Sequence, residues 1–123
     1  MAIQRGEVYF VSLDPAVGRE QAGRRPVVIV SRDEINTLPL VVAVVPGTRG
    51  SQVRLDHFSN VRVPAGEANL PQETVFLTFQ VRALDHSRFP DPPVGRLSAA
   101  QMQQIDRALG WTFRLLAGGA NVP

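Results

Sequence analysis

Between residues 14 and 25 the chain reads DPAVGREQAGRR, and five polar side chains stand close together in it: Arg19, Glu20, Gln21, Arg24 and Arg25. Guanidinium groups offer forked donors that match phosphate or carboxylate oxygens. Gly18 and Gly23 let backbone donors approach a ligand closely. The chemistry on offer is the holding of an anion, and of a phosphate above all. A plainer account is a solvated loop whose arginines balance Glu20 and Asp33, since surface ion pairs contribute little. Position favours function: the segment separates two strand-like runs, GEVYFVSL and PVVIVS, and a connection of that length in a small domain is seldom idle.

Other chemistry is thinly represented. His57 and His86 are the two histidines, and neither has the HxxxH or HxxE spacing that puts two ligands on one face, so no metal site and no cofactor are expected. Asp85 and His86 are adjacent, and neighbours on a strand point to opposite faces. Cysteine is absent, which removes disulfides, thiolate ligands and Cys nucleophiles together. GxSxG, Walker A and dinucleotide fingerprints are missing, and no spacing selects a Ser/His pair.

The 123 residues fit one domain, with 44% hydrophobic and 20% charged residues in an ordinary globular balance. A net charge of +2 does not by itself point to nucleic acid. All 13 basic residues are arginine, which is permissive for RNA or DNA contact and is equally explained by a GC-rich coding bias. The opening MAIQRGE lacks an apolar leader, and the longest apolar run (residues 40–45) is too short to span a bilayer. A cytoplasmic protein with no membrane partner is expected.

The elements that must position the arginines follow from pattern. Residues 6–13 form a strand, and residues 26–31 form one apolar enough to be buried on both faces. Residues 32–37 allow a short helix with Asp33 as its cap. Residues 40–45 make a third strand, ended by Pro46 and Gly47, which puts Thr48, Arg49 and Gly50 in a turn. Residues 52–64 alternate imperfectly, as an edge strand or a hairpin broken near Ser59 and Asn60, with Arg54 and Arg62 outward. Residues 74–81 give a fifth strand, residues 83–93 a loop, and residues 94–97 a short strand. Ser98 and Gln101 form a capping box that opens a helix with Met102, Ile105, Leu109, Phe113 and Leu116 on one stripe, ending at Gly118 and Gly119. Trp111 lies off that stripe. The expected class is mainly β or α+β, a small curved antiparallel barrel with a C-terminal helix, and the order rules out a doubly wound parallel sheet.

The run RGEVYFVSLDPAVGREQAGRRPVVIVS resembles the opening of the MazF/PemK family, toxins of type II toxin-antitoxin systems, with its RG-[DE]-V strand, DP, G-x-EQ-x-G loop and R-P-V strand. VVPGTRG, QVRALDHSR and GRLSAAQMQQIDRAL continue the likeness in order over nearly the whole chain. The resemblance implies an SH3-like barrel with a C-terminal helix in a single domain over residues 1–117, a short tail at 118–123, and a homodimer. It implies an endoribonuclease, an mRNA interferase that cuts single-stranded RNA at short sequences without metal and leaves 2′,3′-cyclic phosphate and 5′-hydroxyl ends. It also implies a cognate antitoxin that lays an extended acidic segment across the RNA groove. Two alternatives share the fold: a non-enzymatic toxin that binds DNA gyrase, and a degenerate member that only binds RNA or antitoxin.

Carried over by the resemblance, the arginine before the strand proline falls on Arg25, the strand-end threonine on Thr48, the loop glutamate on Glu20 and a later glutamine on Gln80. Many members have an aspartate before that glutamine, and some an arginine two residues earlier; here those positions are Phe79 and Leu77. A mechanism using that aspartate as base is closed to this chain. Arg25 and Thr48 are then expected to steady the phosphorane, with Glu20 or a water assisting as base, since a guanidinium hardly ever loses its proton. His57 is a more distant candidate acid. Arg19, Gln21, Arg24, Arg49, Arg54 and Gln80 are expected to hold RNA, with bases stacking on arginine planes or on Phe58.

Overall fold

The computed structural model describes residues 2–115. β1 (Glu7–Ser12) and β2 (Arg24–Ile29) form an antiparallel pair, with Ser12 opposite Arg24 and Val8 opposite Val28. The long arginine-bearing segment is thus the loop of a hairpin, and Arg24 and Arg25 begin β2 itself. β3 (Val41–Arg49) is the spine of the sheet. It pairs along its length with β6 (Arg82–Asp85), β2 and β5 (Thr74–Leu77) in turn. β4 (Asn60–Val63) closes one edge on β5, and β7 (Gly95–Arg96) the other on β1. Every pairing is antiparallel, and the sheet curls into a half-barrel with the C-terminal helix packed on it, which bears out the expected curved antiparallel architecture with a C-terminal helix.

The sheet is buried on both faces, which is why its strands read as unbroken apolar runs. Val8, Val28, Val45, Val61, Val63 and Phe76 face α2 (Ala99–Thr112) and pack with its Met102, Ile105 and Ala108. The alternate residues Tyr9, Val11, Val27, Ile29 and Val44 form a second cluster with Ile3, Leu13 and Leu84. The Ser98–Gln101 capping box is present in both directions, at 3.1 Å and 2.9 Å. Met102 and Ile105 are buried as the stripe requires, while Phe113 lies beyond the helix and is exposed. Leu116, Gly118, Gly119 and the tail lie outside the described residues.

Four expectations need correction. β3 does not stop at Pro46: its ladder with β2 ends there, opposite Val27, and its ladder with β5 starts at Gly47, so proline's missing donor falls where the strand changes partner. Gly47 permits that crossing, because a Cβ there would stand 2.6 Å from Thr74 Cγ2. Thr48 is therefore in a strand, not a turn. Residues 74–81 are not one strand either, since Thr78–Gln80 turns as a 3-10 helix and β6 follows in the stretch expected as loop. Only Leu84 of β6 is buried, so no apolar run announces it. Asp33 does not cap α1 (Asp33–Asn36); its carboxylate accepts from the Arg5 N–H at 2.7 Å. Arg62 is not turned outward. It donates to Asp56 at 2.7 Å, Glu73 at 2.8 Å and the carbonyls of Val53 and Gly50 at 3.0 and 3.3 Å.

Candidate active site

Extending the β2–β3 register two residues beyond Val27 and Pro46 sets Arg25 opposite Thr48. The side chains meet: Arg25 Nη1 lies 3.4 Å from Thr48 Oγ1, and Arg25 Nε donates to the Ala22 carbonyl at 2.9 Å. Thr48 is 8% exposed, so its hydroxyl opens only toward the groove above it. That groove has a volume of about 1030 Å³ and runs across β2, β3 and β5. Arg24, Arg25, Arg49 and Arg54 line it with neutral Gln21, Gln52, Asn60 and Gln72; among the described residues no Asp, Glu or His does. The nearby acids are already engaged. Asp56 and Glu73 bond Arg62, and Arg62 is held further toward its charged form chiefly by the Asp56 hydrogen bond. The result is a cationic trough with a hydroxyl at its floor, suited to a chain of phosphates.

The hairpin loop is fastened from several sides. Gly23 N donates to Asp14 Oδ1 at 3.0 Å, and Leu13 N to the Gly23 carbonyl at 2.9 Å. Gln80 clamps its middle, accepting from Gln21 N at 3.3 Å and donating to the Arg19 carbonyl at 3.2 Å. Arg88 Nη1 reaches the Ser12 and Asp14 carbonyls at 3.0 and 2.8 Å, and Arg82 Nη1 the Leu13 carbonyl at 3.3 Å. Arg82 and Arg88 were not expected to serve the site. Their only signal is that both stand within the family-like QVRALDHSR.

The expected site residues therefore divide. Arg25, Thr48, Gln21, Arg24, Arg49 and Arg54 share the groove. Arg24 also reaches Asp91 at 3.5 Å and lies 6.0 Å from the Phe10 ring centre. Gln80 and Glu20 do not line it. They share a second depression of about 430 Å³ with Phe79, Val81, Arg82 and Ala83. The Glu20 carboxylate there accepts from Val17 N at 2.8 Å, closing the loop on itself. Arg19 is exposed and lines neither depression. His57 lies away from the groove, with Nδ1 3.0 Å from Ser59 Oγ and its ring edge on Trp111 at 4.9 Å. Phe58 also packs edge-on to Trp111, at 5.7 Å, and lines no part of the trough. Trp111 thus closes a small aromatic cluster at the end of α2.

Comparison with known proteins gives a consistent picture. A family model described as PemK-like, MazF-like toxin of type II toxin-antitoxin system matches residues 4–113. Endoribonuclease EndoA of Bacillus subtilis (strain 168) is 30% identical over 117 residues, covering 94% of this chain and 98% of that protein. MazF (Form-I) from Deinococcus radiodurans shares the fold at TM-score 0.75 and 22% identity, over 89% of this chain and 94% of its own. An endoribonuclease in complex with its cognate antitoxin, from a mycobacterial species, does so at TM-score 0.75 and 23% identity, over 94% and 98%.

Proposed function

We propose a function from one premise: this chain belongs to the PemK-like, MazF-like toxin family of type II toxin-antitoxin systems. It is a cytoplasmic endoribonuclease that cuts single-stranded RNA at short sequences, without metal, and leaves 2′,3′-cyclic phosphate and 5′-hydroxyl ends. The observation that carries this reading is the Arg25–Thr48 pair at the floor of a trough lined by four arginines and, among the described residues, by no carboxylate. A gyrase-binding toxin would need neither member of that pair.

The RNA 2′-oxygen attacks the adjacent phosphorus while the bond to the 5′-oxygen breaks. Charge gathers on the non-bridging oxygens as it does so. Arg25 keeps one edge on Ala22 and turns its Nη groups to those oxygens, and the Thr48 hydroxyl adds a neutral donor. The 2′-proton passes to water in the trough, and water there returns a proton to the departing 5′-oxygen, which leaves as the 5′-hydroxyl. Glu20 serves as base only if the loop releases its bond to Val17 and swings the carboxylate over. Arg24, Arg49 and Arg54 hold flanking phosphates, and Gln21 and Gln80 act through the loop.

The same cationic trough suits the extended acidic segment of a cognate antitoxin, and the toxin works as a homodimer. Incubating the purified protein with a long RNA in EDTA, with mapping of cut sites and end chemistry, tests the whole reading. Discrete cuts with cyclic phosphate ends, lost in Arg25→Ala, are expected. Intact RNA, or equal cutting by Arg25→Ala, overturns it.

A further inference from the structure

Phe79 stands where many members of the family have an aspartate, and the structure gives it an unusual setting. Both of its neighbours are fixed. Thr78 is fully buried, with its hydroxyl 2.7 Å from the Ser59 carbonyl and 2.7 Å from Thr112 Oγ1. Gln80 is bonded on both sides to the hairpin loop. The 3-10 turn between them is closed by Val81 N donating to the Thr78 carbonyl at 3.2 Å. Phe79 is nevertheless 56% exposed. A lone exposed ring is ordinary on a surface. The location is not ordinary, because Phe79 lines both the Arg25–Thr48 trough and the depression beyond it, as the partition between them. Phe10, the other ring in the trough, has Arg24 over its face, whereas Phe79 joins no aromatic or cation pair among the described residues.

An unpartnered ring on an anchored turn, at the wall of a trough of cations, fits a ligand that is both anionic and flat. An unpaired nucleotide is such a ligand, with phosphate for the arginines and a base for the ring. We infer that Phe79 is a stacking wall for one RNA base next to the scissile phosphate, and that it helps to choose which sequences are cut. This rests on the RNA-cutting reading above and adds to it a residue that its family pattern lacks. Stacking on a ring tolerates any base but prefers the larger purine faces, so it selects by size more than by hydrogen-bond pattern.

The test uses the full chain and one RNA oligonucleotide spanning its strongest mapped cut, made intact and as a set with one base removed at each position in turn. Wild type is expected to lose about 10- to 100-fold in kcat/KM at one abasic position near the cut. Phe79→Ala should show the same loss on the intact oligonucleotide and no further loss at that position. Phe79→Trp, with an equal or larger stacking face, should restore cutting, and Phe79→Leu, apolar but not flat, should not. Unchanged melting temperatures are expected, since the ring contributes little to the core. Wild-type cutting by Phe79→Ala, or a loss that adds in full at every abasic position, overturns the proposal. The same holds if Phe79→Ala weakens only the capture of an acidic antitoxin peptide. If Arg25→Ala still cuts, the RNA reading fails with it; if Arg25→Ala is dead and Phe79→Ala is normal, the stacking wall alone falls.

Discussion

Arg25 and Thr48 face each other across the seam between β2 and β3, with Nη1 3.4 Å from Oγ1 while Arg25 Nε is held by the Ala22 carbonyl at 2.9 Å. The second contact is a full hydrogen bond and the first a long one. One edge of the guanidinium is thereby anchored, and its other donors, with the Thr48 hydroxyl, stay ready for an incoming oxygen. Placement of this kind lowers the reorganisation needed when charge develops.

Substitutions at the pair should separate charge, shape and hydroxyl. Arg25→Lys keeps the charge but cannot hold Ala22 and reach the phosphate together, so kcat should fall roughly 100-fold or more. Thr48→Val keeps the shape and removes one neutral donor, which calls for a loss of about 10-fold. Single-turnover cleavage of a labelled RNA measures both, and thermal melts should find both variants folded. A Lys variant with wild-type kcat would mean that the fork has no role.

Gln80 bonds the hairpin loop on both sides and lines no part of the trough, so it acts on the loop and not on RNA directly. Gln80→Leu removes the bonds to Gln21 N and the Arg19 carbonyl while the 3-10 turn stays anchored through Thr78. The loop should then open more often, and trypsin should cut after Arg19 faster than in wild type. In cleavage kinetics KM should rise more than kcat falls. Unchanged proteolysis would show that the loop is held by Arg82, Arg88 and Asp14 alone.

Much of this architecture is legible in the chain because its signals are local. The alternation of two buried faces in PVVIVS, the capping box at Ser98 and Gln101, and the glycine-bearing hairpin loop each follow from residues a few positions apart. What escapes a reading of the sequence is set by distant partners. Pro46 and Gly47 look like a stop, yet they fall where β3 passes from β2 to β5, a place defined only by the sheet. RALD shows no strand pattern because β3 supplies the pairing and only Leu84 is covered. Within the site, Arg25 beside Thr48 is foreseeable from two adjacent strand ends. The departure of Glu20 to the second depression is not, since the path of the loop depends on Gln80 from far along the chain.

Tyr9 offers a pH test of the core. The residue is 4% exposed, and burial pushes the phenol far above its ordinary value, with the hydrogen bond to the Glu7 carboxylate at 2.7 Å adding to the effect. A group whose folded pKa is raised stabilises the fold fully below its unfolded pKa of about 10, and that contribution fades as pH rises toward the folded value. As the single tyrosine, it can be followed by phenolate absorbance. In native protein the signal should stay flat past the point where the denatured chain titrates, then rise together with loss of circular dichroism. A rise near pH 10 with the fold intact would contradict the burial.

Thr78 joins the fold to the stacking wall, and its hydroxyl can be removed almost without changing shape. It donates to the Ser59 carbonyl at 2.7 Å and pairs with Thr112 Oγ1 at 2.7 Å, inside the contact between α2 and the 3-10 turn. Thr78→Val leaves the Thr112 hydroxyl without that partner, and should cost about 1–3 kcal/mol in denaturant unfolding. Thr78→Ser keeps the hydroxyl and loses one methyl group, so its cost should be smaller. The double variant Thr78→Val, Thr112→Val removes both ends of the pair and should be less destabilised than the sum of the single variants. If the turn is what holds Phe79 in place, Thr78→Val should also blunt the preference at the one abasic-sensitive position while leaving the dependence on Arg25 intact. Equal stability of Thr78→Val and wild type would remove the anchor, and with it the physical reason for an ordered turn at position 79.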